Sequence, residues 1–357
     1  MTNILVIRFG ALGDLCLLAW TLTALGRGDG PQSRRIQPRV TLVTKAAFAG
    51  LFNQVPGVDE VIPLNGPGLR DLRALVNRLR PLTFDLVIDA HNNLRSRLLS
   101  VVLGRRPDQR LAKDTFSRLA FLFWRRHSLR LDRTMRERFD ELIHISELDQ
   151  VGFEPHGQNS LTSLPPLAHL ATKKRGILPI LGIAPGARWD TKRWPVDFFC
   201  DLVNRFCAVS SAPVRIFLGP REKVWFPGSR LAQMATNLEQ VTFWQERDLV
   251  EVASGLAECA TLVTNDSGLL HLAEAVGTPV LALFGPTVQE FGYFPSLPAS
   301  RVLQTELACR PCSRNGKRPC HRGDLACLVD IKPERVLTEL LASPPWHGNP
   351  ADTRTGG

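Results

Sequence analysis

Short apolar blocks recur along the chain, each closed by a glycine or a polar residue. Each is followed by a stretch in which apolar positions return with helical spacing. The blocks Ile4–Ile7, Arg39–Lys45, Val58–Leu64 and Phe84–His91 predict strands, because short, largely apolar runs bounded by turn residues suit a strand in a buried sheet. A helical pattern runs from about Asp14 after the first block, and Leu69–Arg80 sets Leu72, Leu75, Val76 and Leu79 on one helical face. The alternation restarts later. Ile180–Gly186, Pro213–Gly219, Ala260–Asp266 and Pro279–Gly285 predict strands. Pro195–Val209, Leu249–Cys259, Gly268–Gly277 and Lys332–Ser343 predict helices, the first with proline in its opening turn, where an N–H has no helical partner to lose. Strand and helix in alternation predict parallel sheets covered by helices, an α/β fold.

Between the two runs lies Pro155–Pro179, a stretch with Pro, Ser and Gly that reads as a linker. The expected organisation is two Rossmann-like, doubly wound domains, residues 1–165 and 176–330, then a closing helix at 331–343 and a tail at 344–357. The tail is Pro, Gly and polar and is expected to be disordered. A length of 357 residues suits two full cores. Ligands of such sheets sit outside the carboxyl ends of the strands. Two facing domains would therefore line a central cleft with strand-end loops.

Composition narrows the setting. Hydrophobic residues make up 44% and charged residues 22%, ordinary values for a globular protein. No uncharged apolar run of about 18 residues is present, so a membrane-spanning helix is not expected. Arg8 and Asp14 interrupt the apolar N-terminal stretch, which argues against an export signal and for a cytoplasmic location. The net charge is +10, and residues 104–138 carry much of it, with eleven Lys or Arg against four Asp or Glu. An anionic partner fits such a patch: nucleic acid, acidic lipid or a phosphorylated substrate; so does a solvated basic face. Within it, Phe116–His127 places Phe116, Leu119, Ala120 and Phe123 on one helical face with Arg118, Arg125 and Arg126 nearby, a pattern for core packing or for a membrane surface.

Four loops at predicted strand ends carry concentrated polar chemistry. Arg8–Asp14, "RFGALGD", has Gly10 and Gly13 for close backbone approach and an acid at a helix start, where a capping role is also open. Ala184–Pro195, "APGARWDTKRWP", ends with Lys192 and Arg193 before a helix, and its free N–H groups suit a phosphate. Leu218–Lys223 offers Glu222, an acid placed to accept from ribose hydroxyls or to start a helix. Asn265–Thr287, "NDSGLLHLAEAVGTPVLALFGPT", ends a strand with Asp266, Ser267 and Gly268 at a helix N-terminus, an anion cradle, with His271 one turn further on.

Eight cysteines are present. Cys16, Cys200, Cys207 and Cys259 are scattered in apolar contexts and read as buried small hydrophobes. Cys309, Cys312, Cys320 and Cys327 form a C-x₂-C-x₇-C-x₆-C cluster that matches a zinc site only in its first half, so no metal is the expectation, with reduced thiols or a disulfide open.

Taken in order and spacing, "GALGD", "PGARWDTKRWP", "NDSGLLHLAEAVGTPVLALFGPT" and "CRPCSRNGKRPC" followed by "CLVDIKPERV" resemble glycosyltransferase family 9, the bacterial heptosyltransferases of lipopolysaccharide assembly. The likeness covers about residues 1–340. It leans toward the second heptosyltransferase branch, because Pro-Gly-Ala precedes Lys-Arg-Trp-Pro. The resemblance implies a GT-B fold and inverting transfer of heptose from ADP-heptose to the inner core on lipid A, at the cytoplasmic surface of the inner membrane and without a cofactor. It assigns Asp14 as general base and Lys192 as the cation on the leaving diphosphate. Asp266, Ser267, Gly268 and His271 would hold phosphates and sugar, Glu222 the ribose, and Gly186 and Thr191 the remaining donor contacts. Here Ala187 and Arg188 follow Gly186 where relatives often carry hydroxyls, and Thr191 is expected to supply the missing one. Gly13, Arg118, Arg125 and Arg126 would face the acceptor and its anionic groups. Two rival readings remain at this point. One is the same fold acting on another nucleotide sugar, as transferase or epimerase. The other is a basic nucleic-acid-binding protein, against which stand apolar-face aromatics, a single Tyr and the lack of a recognition motif.

Overall fold

The computed structural model describes residues 2–27, 38–144, 164–171, 178–234 and 238–346. Among them the chain forms two compact units, Met1–Ser117 with Ser128–Ala168, and Arg118–His127 with His169–Gly357. The first unit holds β1 (Asn3–Ile7), α1 (Leu12–Arg27), β2 (Arg39–Lys45), α2 (Ala46–Phe52), β3 (Glu60–Leu64), α3 (Leu69–Leu79), β4 (Leu86–Asp89), α4 (Leu94–Val102) and β5 (Gln109–Arg110). Then come α5 (Thr115–Trp124), most of which belongs to the second unit, and α6 (Met135–His144). The strands run parallel in the order β3-β2-β1-β4-β5. One core side packs Leu5, Ile7 and Val43 against Leu72, Leu75, Val76 and Leu79, the face that helical spacing marked out.

The second unit comprises β6 (Ile180–Ala184), α7 (Val196–Val209), β7 (Val214–Phe217), α8 (Arg230–Met234), β8 (Val241–Trp244), α9 (Leu249–Ala257), β9 (Cys259–Asn265), α10 (Gly268–Val276), β10 (Val280–Phe284), β11 (Arg301–Gln304), α11 (Ala326–Val329) and α12 (Pro333–Leu341). Its six strands are also parallel, in the order β11-β10-β9-β6-β7-β8. β6 and β10 are buried along their whole length, which is why their sequences are unbroken apolar runs.

Two expectations change. The closing helix α12 is not a separate element: Val336 and Leu340 join the second unit's core. The tail begins later than residue 344, because Trp346 is buried, lies 5.2 Å from the Phe206 ring and donates through its indole N–H to Thr261 at 3.1 Å. Residues 347–357, and all of the expected linker except 164–171 and 178–179, lie outside the described residues. The edge strands β8 and β11 escaped the sequence reading, since polar Thr242, Arg301 and Gln304 break their apolar runs.

Candidate active site

In the second unit β6 is flanked by β9 and β7, so the strand order reverses across the β6–β9 pair. Loops leaving the carboxyl ends of two such strands diverge and open a crevice. Asn265, fully buried at the end of β9, ties the two loops together. Its side chain accepts from the Trp194 amide at 2.9 Å and donates to the carbonyls of Pro185 at 2.8 Å and Gly186 at 3.3 Å. Trp194 itself is core, its indole N–H donating to the Ile331 carbonyl at 2.8 Å, so one of the loop's two tryptophans is an anchor.

That anchoring fixes Lys192, which closes a single 3₁₀ turn, Asp190–Lys192. Its ammonium stands 2.5 Å from Asp266 Oδ2, with only 13% and 8% of the two side chains exposed. The Thr287 hydroxyl donates to the same carboxylate oxygen at 2.6 Å. Asp266 therefore holds the cation rather than an anion, as its own charge requires. Ser267 caps α10 without a side-chain hydrogen bond, so its hydroxyl takes none of the helix's first N–H groups, and those groups favour an anion. His271 is buried one turn into α10, with its ring 6.1 Å from Tyr293.

Glu222 is buried and accepts from the Gly219 amide at 2.7 Å. Its carboxylate also lies against Gly186 so closely that any side chain there would collide with it. Glycine at 186 thus leaves room for the Glu222 carboxylate, and the two are close neighbours. The Thr191 hydroxyl, expected toward a phosphate, instead donates to the Gly316 carbonyl. Arg193 pairs with Asp190 and lies over the Trp225 ring, 5.4 Å from its centroid.

The corresponding strand ends of the first unit are those of β1 and β4, neighbours at that sheet's own switch point. Gly10 turns the chain with φ +146°, a conformation glycine permits, and Phe48 packs against it. Helix α1 starts at Leu12, two residues before the expected start, so Asp14 lies within its first turn and Gly13 is buried beside it. The Asp14 carboxylate is 2.6 Å from the buried Arg8 guanidinium and accepts from the Ala11 amide at 3.3 Å. Arg8 also donates to the Ala90 carbonyl, tying β1 to β4.

His91 completes this corner, and the sequence reading gave it no role beyond ending a strand. Its ring meets Phe9 edge-on at 5.5 Å, and its buried Nδ1 has no hydrogen-bond partner among the described residues. Burial pushes its pKa down to about 4, with Arg8 adding to the shift, so the imidazole is neutral at physiological pH. Arg310 was also missed. It bonds the carbonyls of Gly285, Thr305 and Thr287 and the Gln304 side chain, bracing the turn that carries Thr287.

The basic segment sorts differently from its sequence pattern. Arg118 is buried and donates to the Phe291 carbonyl at 3.2 Å. Arg125 donates to the carbonyls of Pro311 and Ala308. Both guanidiniums are thus engaged in fastening α5 to the second unit, while Arg126 is exposed. Phe116, Phe123 and Trp124 are exposed, Phe116 by 89%.

The four clustered cysteines are free thiols. Burial raises Cys327 to about 11, and burial, then the proximity of Cys309 and Cys320, raises Cys312, so these two stay protonated at neutral pH. Among the described residues, no group of three or more His, Cys, Asp or Glu is placed to hold a metal ion.

The sequence profile of glycosyltransferase family 9 (heptosyltransferase) matches residues 72–321. The chain is 27% identical to lipopolysaccharide heptosyltransferase 1 of Pseudomonas aeruginosa, over 95% of this chain and 97% of that protein. It is 31% identical to lipopolysaccharide heptosyltransferase 2 of Escherichia coli K12, over 46% of each chain, so it spans about half the length of that relative. Relatives of both branches thus match, which does not single out the second. The solved ADP-heptose heptosyltransferase II of E. coli superposes with a TM-score of 0.68 at 22% identity, covering 96% of this chain and 98% of that one. E. coli heptosyltransferase WaaC bound to ADP-2-deoxy-2-fluoro heptose gives 0.68 at 20% identity, covering 96% and 99%. These two likenesses establish the fold, two parallel α/β sheets of the GT-B kind.

Proposed function

The chain belongs to glycosyltransferase family 9, the heptosyltransferases, and from that premise we propose that it moves a heptose from ADP-heptose to the inner core of lipopolysaccharide with inversion at the anomeric carbon. The observation that carries the reading is Lys192, a nearly buried ammonium fixed by Asp266 beside the N-terminus of α10 at the switch point. A cation and helix N–H groups so placed suit the charge that grows on a departing diphosphate.

The transfer needs a base on the acceptor hydroxyl and a cation on the leaving group. Each unit carries one of them. Asp14 takes the hydroxyl proton as that oxygen bonds to the anomeric carbon. The bond from that carbon to the diphosphate breaks, and its electron pair leaves with ADP. Arg8 holds the Asp14 carboxylate in place. Lys192 and the first N–H groups of α10 neutralise the diphosphate, and Ser267, Gly268 and His271 line the sugar and phosphate position. Glu222 accepts from the ribose hydroxyls beside Gly186. Gly13 lies on the acceptor side. The exposed Phe116, Phe123 and Trp124 with Arg126 suit docking at an anionic inner-membrane surface, where a lipid-borne acceptor resides.

Calorimetric titration with ADP and ADP-heptose tests the donor side. Lys192→Ala should weaken ADP by about 10- to 100-fold, the scale of a hydrogen bond to a charged group. Asp14→Asn should keep ADP affinity and lose turnover by roughly 100-fold or more. Unchanged ADP binding in the first variant would remove Lys192 from the site; full turnover in the second would remove the base.

A further inference from the structure

The cysteine-bearing segment has no part in the chemistry just derived, yet its middle lies against Lys192. Its root is fixed by Arg310, whose guanidinium reaches the carbonyls of Gly285 at 2.5 Å, Thr305 at 2.6 Å and Thr287 at 3.0 Å. The Cys312 amide adds a bond to the Pro286 carbonyl at 3.3 Å. The segment is therefore fastened to the same turn whose Thr287 hydroxyl holds Asp266. Beyond the root the chain folds back. Ser313 is buried, and its hydroxyl accepts from the amides of Gly316 at 2.9 Å and Arg318 at 3.4 Å. Gly316 takes φ +84°, and its carbonyl accepts from the Thr191 hydroxyl.

The close approach falls on the lysine stem. A Cβ at 316 would stand 2.7 Å from Lys192 Cγ, 2.9 Å from Cδ and 3.1 Å from Cε. That stem has little room to yield, because its ammonium is held by Asp266 and the side chain is only 13% exposed. Both the backbone conformation and the space thus require glycine, and the three nearest atoms that limit the space all belong to Lys192. A lysine stem has several rotatable bonds, and a wall along three of its carbons removes most of the alternatives.

We propose that the loop Ser313–Lys317 is part of the donor-binding machinery and that Gly316 is a positioning residue for Lys192, holding its stem so that the ammonium meets the diphosphate. This rests on the reading of Lys192 given above. In that arrangement the cysteine-flanked segment serves the site through its backbone, and the Thr191 hydroxyl tethers the wall to the loop that bears the cation.

A double-mutant cycle on ADP affinity tests it, using Gly316→Ala and Lys192→Ala singly and together in the full chain. Gly316→Ala should weaken ADP by roughly tenfold, the scale of coupling between contacting residues. In the Lys192→Ala background the same change should weaken ADP clearly less, because the clash with the stem is gone and only the backbone strain at φ +84° is left. Equal fold-losses in both backgrounds would overturn the proposal, since a loop that merely needs glycine to fold would weaken binding regardless of Lys192. Thr191→Val, which removes the tether without backbone strain, gives a second cycle should thermal unfolding show that Gly316→Ala is not folded; its effect too must shrink when Lys192 is absent. If Lys192→Ala alone leaves ADP affinity unchanged, the donor-site reading itself falls, an outcome distinct from additivity.

Discussion

Arg8–Asp14 and Lys192–Asp266 are both close ion pairs at strand ends, but their acids and bases have opposite parts to play. On the mechanism proposed above, in one the carboxylate acts and the guanidinium steadies it; in the other the ammonium acts and the carboxylate steadies it. Removing the steadying partner should therefore hurt less than removing the acting one. His91 belongs to the same residue scale, and its effect is on stability. Its pKa in the folded chain, about 4, lies below the ordinary 6.5, so between those values the unfolded chain binds a proton that the folded chain refuses. Stability contributed by the neutral ring is then complete above 6.5 and is lost as the pH falls toward 4. In urea unfolding, His91→Gln should show a weaker pH dependence of the midpoint across that window than the parent chain. Equal dependence in both would mean that another group titrates there.

At the scale of elements, what positions the β6–α7 loop is the register of β6 against β9. Ala184 pairs with Thr264, so Asn265 and Pro185 leave their strands side by side. Asn265 bonds to both the start of the β6–α7 loop and its end. Its replacement by alanine strands a buried amide and a buried carbonyl, each costing about 1–3 kcal/mol. Asn265→Ala should accordingly lower the unfolding free energy by about 2–4 kcal/mol and weaken ADP, read by urea denaturation and calorimetry. A loss below about 0.5 kcal/mol, the level of an ordinary surface change, would show that the loop is held by other means. Helix α10 was legible in full, including Gly277 at its end with φ 93°, because cap, apolar spacing and C-terminal glycine all agree locally. β8 and β11 were not, because an edge strand needs only part of an apolar face.

At the scale of the whole molecule, the net charge of +10 gains a direction from α5, where Phe123 and Trp124 are exposed beside Arg125 and Arg126. Among the described residues no helix is long and apolar enough to cross a membrane, so attachment through this helix would be at the surface. The protein should co-sediment with vesicles of anionic phospholipid at low salt and release as salt rises, since exposed charges are screened within about a nanometre at 0.1 M. Replacing Phe123 and Trp124 by serine should reduce the bound fraction. Equal co-sedimentation with neutral vesicles would count against the proposal.

The sequence by itself determined the α/β alternation, the strand ends with concentrated polar groups and the family motifs, because apolar spacing and turn residues act over a few positions. It assigned Lys192, Asp266, Thr191 and Glu222 to one donor region. Only the tertiary structure decided which group each of them touches. Asp266 turned out to hold Lys192, Arg118 and Arg125 to fasten a helix, and Thr191 to bond Gly316, 125 residues away along the chain. The physical reason is that a short polar side chain meets its partner through strand order and register. Those depend on how distant apolar faces pack, and no local pattern encodes them.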